Sequence, residues 1–129
     1  MKAPYNDQPI VCIDLKKNRI RVHKTTLHLI GDPDYIQLLV NPKTGMIAIR
    51  PTVAEDHLGL KIRKERLVNG DCYEIHSKEL LDALKNVRTE WHSNCSYRIY
   101  GEYNATAQIA QFAMKDIVPV EDTINHDPL

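Results

Sequence analysis

The chain has 129 residues, 43% of them hydrophobic and 26% charged, with 17 Lys and Arg balanced by 17 Asp and Glu. That length suits a single domain, 1–129, with one core, and the composition is that of a folded globular protein rather than a disordered or fibrous one. The longest apolar runs are far too short to span a bilayer as a helix, so no membrane partner is expected.

The opening MKAPYNDQPIVCID has no apolar signal-peptide core. The three cysteines, Cys12, Cys72 and Cys95, have no disulfide-framework spacing. Reduced thiols in a cytoplasmic protein are the expectation. The zero net charge hides a split. Residues 1–66 hold 12 Lys and Arg against 7 Asp and Glu, or +5; residues 67–129 hold 5 against 10, or −5. Such a split can steer a polyanion to one half or drive self-association of identical chains.

The first predicted element is a half-buried strand, Arg19 to His23, in which Ile20 and Val22 alternate with Arg19, Arg21 and His23. A short helix follows from Lys24 to Ile30, with Leu27 and Ile30 at helical spacing and Gly31-Asp32-Pro33 ending it. Tyr35 to Asn41 and Met46 to Arg50 read as a hairpin, with Pro42 and Gly45 in its turn. In it Ile36, Leu38, Val40, Ile47 and Ile49 are the expected core face. Gly59 to Arg63 reads as a further short strand. In the second half, Cys72 to His76 is a strand, and Ser77 caps a helix striped by Leu80, Leu81 and Leu84. After a polar stretch, Tyr97 to Tyr103 and Gln108 to Phe112 form a second hairpin. Ile117 to Val120 is a last strand, and 121–129 reads as a loose tail.

The halves 19–66 and 71–120 have the same element order, strand-helix-strand-strand-strand. VHKTTL from Val22 lines up with IHSKEL from Ile75, YIQLLVN from Tyr35 with RIYGEYN from Arg98, and Ile47-Ala48 with Ile109-Ala110. An insertion of about ten residues between Arg88 and Cys95 reconciles the offsets. The fold class expected is α+β, a duplicated βαβββ unit with a mostly antiparallel sheet and two helices. This order resembles one domain of a DNA sliding clamp, a likeness of topology over residues 19–120 that transfers no motif. The segment Ile30-Gly31-Asp32-Pro33, Tyr35-Ile36 and Ile47 to Pro51 also resembles small bacterial proteins of unassigned function. That resemblance implies no activity.

Catalytic signatures are sparse. There is no Gly-x-Ser-x-Gly elbow, no phosphate-cradling glycine loop and no His-Glu-x-x-His among the six histidines. Cys72, His76, His92 and Cys95 have zinc-like identities. However, Cys72 and His76 on a straight strand would lie about 13 Å apart, too far to share one ion, so neither metal nor cofactor is expected. Two basic runs carry the binding signal: Lys16, Lys17, Arg19, Arg21 and Lys24, then Lys61, Arg63, Lys64 and Arg66. Strand alternation puts Arg19 with Arg21, and Lys61 with Arg63, on shared faces that could contact phosphates without reading bases. No aromatics interleave them to stack single strands. The function expected is a non-enzymatic clamp-like or assembly module that engages nucleic acid or protein partners through its basic N-terminal half. The alternative is a small enzyme whose His and Cys residues only the fold brings together.

Overall fold

In the computed structural model, which describes residues 8–63 and 72–120, ten strands form two five-stranded sheets, antiparallel throughout, and two helices accompany them. Sheet A has the order β10(Ile117–Val120), β7(Ser96–Tyr100), β1(Ile10–Asp14), β2(Arg19–His23), β6(Cys72–Ile75). Sheet B has the order β5(Leu60–Lys61), β3(Tyr35–Asn41), β4(Met46–Pro51), β9(Ile109–Ala113), β8(Glu102–Asn104). The α+β class is therefore present. Two features add to the predicted elements: β1, which is central to sheet A, and the shortness of β5.

The inward faces follow the period of two. Val11, Ile13, Ile20, Val22 and Ile99 from sheet A join Ile36, Leu38, Ile47, Ile49, Ala110 and Phe112 from sheet B in one buried cluster. Val40 packs against it, half-buried, whereas Leu39 is exposed on the outer face of sheet B. The opening hairpin is thus scaffold on its inner face. Its turn is held by Asn41, whose Oδ1 accepts from the Lys43 and Thr44 amides, while Gly45 takes φ 69°.

Both helices feed the same core. His23 caps α1(Lys24–Leu29) by accepting from the Thr25 amide through Nδ1. At the other end the Gly31 amide donates to His28 and the Asp32 amide to Leu27, with Gly31 at φ 98°. That is the paired bonding of a helix terminated by a left-handed residue. The buried Thr26 hydroxyl accepts from the Ile10 amide and donates to the Ile10 carbonyl, fastening α1 to the start of β1. Ser77 caps α2(Lys78–Val87) through the Leu80 amide, and Leu81 and Leu84 are buried. The helix leaves sheet A at β6 and packs on β3 of sheet B.

Two seams join the sheets. On one side the Tyr73 hydroxyl of β6 donates to the Lys61 carbonyl of β5. On the other, one long hairpin serves both sheets: β7 and β10 pair in sheet A, and β8 and β9 pair in sheet B. The chain crosses between sheets at Gly101, which is buried and donates to the Pro9 carbonyl. A Cβ there would run into the Gln111 carbonyl and lie 2.6 Å from the Phe112 ring, a residue with no exposed surface. Only glycine allows that approach.

Gly101→Ala is therefore expected to cost at least about 3 kcal/mol, the upper end of overpacking penalties. Gly45→Ala meets nothing within 4 Å and should cost only about 1–2 kcal/mol, for its left-handed φ. Urea denaturation of both variants measures the difference. Equal losses would mean that the crossing is not a tight contact.

Candidate functional site

The outward face of sheet A is polar where its inward face is apolar. Register sets the rows. Cys12 lies opposite Arg21 on one side and Arg98 on the other, and Arg21 lies opposite Glu74. One row along, Asp14 lies opposite Arg19 and Ser96. Past this row the chain turns through Lys16, Lys17 and Asn18, the last at φ 54°.

Asp14 organises the end of the face. It is buried, and its Oδ1 accepts from the Lys17 amide at 3.1 Å and the Ser96 hydroxyl at 2.9 Å. Its Oδ2 accepts from Arg19 Nε at 2.9 Å. One carboxylate therefore fixes the β1–β2 turn, β2 and β7 together. Burial alone would push its carboxyl up, but the Lys17 amide, the Arg19 guanidinium and the Ser96 hydroxyl outweigh it and hold the group below its ordinary value.

The arginines differ in how far they are compensated. Arg19 is clamped, with Asp14 on Nε and Glu74 on Nη1 at 2.8 Å. Arg21 is looser: its Nε lies 3.8 Å from Glu74, is buried and lacks a hydrogen-bond partner among the described residues. Arg98 donates to the Tyr100 hydroxyl at 3.4 Å, and that contact together with the neighbouring Cys12 side chain raises its pKa.

These side chains line a depression of about 390 Å³. Among the described residues, Lys16, Lys17, Arg19, Arg21 and Arg98 contribute five cations to its walls, against the carboxylate of Asp14. The first basic run is thus brought together, except for Lys24, which begins α1 and does not line the depression. The second run lies elsewhere. Lys61 alternates with the inward Leu60 and Ile62, so it and Arg63, both exposed, belong to the outer side of sheet B's edge. Lys64 and Arg66 lie outside the described residues, as does the predicted tail at 121–129. Arg98 is the residue that sequence reading missed. It comes from the acidic half, and only the pairing of β7 with β1 brings it beside Cys12.

Neither Cys72 nor His76 lines this depression. His76 lies on a second depression, beside α2, and its Nε2 is 3.5 Å from Glu74. Among the described residues, no three His, Cys, Asp or Glu side chains are grouped to hold a metal ion. No helix among them is long and apolar enough to cross a membrane. Comparison of the chain with protein-family models, with curated proteins and with solved structures finds no match.

Asp14→Asn keeps the shape but removes the charge that Arg19 and the Lys17 amide bind. It should cost about 1–3 kcal/mol at neutral pH, the price of leaving charged and buried donors poorly matched. Because the folded pKa is depressed, the stabilisation is complete above the ordinary carboxyl value of 3.8 and is lost as pH falls through the lower folded value. Denaturation midpoints taken from neutral pH to below that value should converge for the two proteins. A gap that stays constant across the range would mean that the Asp14 charge does not stabilise the turn.

Proposed function

We propose that this chain is a non-enzymatic, clamp-like binding module that engages the phosphate backbone of nucleic acid through the outward face of sheet A. The binding is low in affinity and independent of base sequence. The observation that carries this reading is the depression that, among the described residues, is lined by five cations and one carboxylate. Guanidinium groups present planar pairs of donors that match phosphate oxygens, and the three arginines sit on β2 and β7, the two strands that flank β1, with their backbones fixed by the sheet. Contacts of this kind position a backbone and carry no sequence information.

The clamp-like part rests on strand pairing. If β2, α1, β3, β4 and β5 correspond to β6, α2, the β7–β8 arm, β9 and β10, then pairing of β3 with β4 and β5 matches pairing of the arm with β9 and β10. The strand pairings between the halves join corresponding strands to each other, β2 to β6 and β4 to β9. Their registers also exchange. Ile20 pairs with Ile75 and Val22 with Tyr73, and an offset of 53 converts each pair into the other. Ala48 pairs with Gln111 and Ile49 with Ala110, which an offset of 62 interchanges. These are the pairings a duplicated βαβββ unit related by a twofold would make. The strand β1 breaks the symmetry, inserted between β7 and β2.

Titration into a labelled duplex and a labelled single strand at low salt should give dissociation constants near the weak end for non-specific binders, about 0.1 mM or tighter. The logarithm of affinity should fall linearly with the logarithm of salt. Replacing Arg21 and Arg98 together by Ser should reduce that slope by roughly 0.7–0.9 per residue through lost counterion release. Because neither arginine is in the core, stability should change by only about 0.5 kcal/mol. Absence of binding to either probe at about 0.1 mM would remove nucleic acid as the partner.

A further inference from the structure

The basic depression on sheet A has a neighbour. A second depression, of about 370 Å³, lies beside α2 and is lined by Asn18, His76, Lys78, Asp82 and Lys85, among others. Lys16 and Lys17 line the first depression and Asn18, the next residue, lines the second, so the two lie on either side of the β1–β2 turn. The turn is not a loose divider. Asp14 holds the Lys17 amide, the Leu15 amide donates to the Cys95 carbonyl, and Asn18 takes a left-handed φ that reverses the chain.

The second depression is also cationic. Lys78 and Lys85 stand one above the other on α2, seven residues or about two turns apart, with Asp82 the one carboxylate in the wall among the described residues. Asp82 engages Lys78 at 3.0 Å, but the lysine side chain is 88% exposed, and such a surface pair contributes little and exchanges readily for another anion. Lys85 has no such partner among the described residues.

We infer that the two depressions form one phosphate track, and that the ligand class is a single-stranded nucleic acid whose backbone passes from the face of sheet A around the β1–β2 turn to the side of α2. This inference rests on the proposed polyanion reading of sheet A and extends it. The path changes direction at the turn. A single strand can bend there, whereas duplex DNA is stiff over about 150 bp and can lie against only one of the two sides. Joining two sites by one flexible chain raises affinity above that of either site alone. The track therefore discriminates by length and strandedness, not by base.

The test uses the whole protein with fluorescent oligothymidylates, a trinucleotide and one of about 16 nucleotides, the long end of single-strand site sizes. The longer strand is expected to bind at least about tenfold more tightly through the second set of contacts. Lys78→Gln with Lys85→Gln keeps helix propensity. It should abolish most of that gain, lower the salt slope for the longer strand by about 1.4, or about 0.7 per cation, and leave the trinucleotide unchanged. Asp82→Asn, which frees Lys78, should tighten binding of the longer strand, a result that a merely structural role for α2 would not produce. If the longer strand binds the α2 variant as it binds the wild type, while Arg21→Ser with Arg98→Ser weakens both lengths, the track ends at the turn and the inference fails alone. If neither length binds the wild type, the reading of sheet A fails and takes this inference with it.

Discussion

The close approach at Gly101 is the constraint on which the rest of the molecule hangs. There the chain passes from sheet A to sheet B against the Gln111 carbonyl and the Phe112 ring, with no room for a side chain. Because it can cross there, one hairpin serves as the seam of both sheets, and the two inward faces share a single core. The crossing also fixes what happens on the outside. It sets β7 against β1 in the register that places Ser96 beside Asp14 and Arg98 beside Cys12. The basic depression therefore follows from the packing of the core beneath it.

That dependence accounts for how the sequence reads. Elements with a local signature were legible: the alternation of Arg19 to His23, the Ser77 cap with Leu81 and Leu84 behind it, and Gly31 ending α1. The strand β1 was not. In IVCID the outward Cys12 is nearly as apolar as the inward Val11 and Ile13, so the strand lacks the polar alternation that marks an exposed face. β5 was read as longer than it is. Only Leu60 and Lys61 pair with β3, and Ile62 is instead bonded to the Asp34 carbonyl.

The site was legible in part for the same reason. The run from Lys16 to Arg21 is contiguous in sequence and stays contiguous in space, because a tight turn joins β1 to β2. Arg98 is contributed by pairing across more than eighty residues, which no local pattern signals. The charge split between halves is a poor guide to the surface for a related reason. The depression draws Arg98 from the acidic half, and Glu74, also from that half, neutralises part of Arg19. What matters for the proposed binding is the excess left after these pairings. It lies mainly with Arg21 and Arg98. Of the second basic run, Lys61 and Arg63 lie at the edge of the other sheet and add to a different surface.

The account's central claim is one of location: phosphate groups meet the outward face of sheet A. Backbone amide chemical-shift mapping during titration with a single-stranded oligonucleotide tests it most directly, because it reports every strand at once. The account predicts salt-sensitive shifts concentrated in residues 12–21 and 96–98, extending to 76–85 when the strand is long enough to round the β1–β2 turn, with sheet B silent. Shifts centred instead on the β5 edge around Lys61, or spread evenly over both sheets, would contradict it.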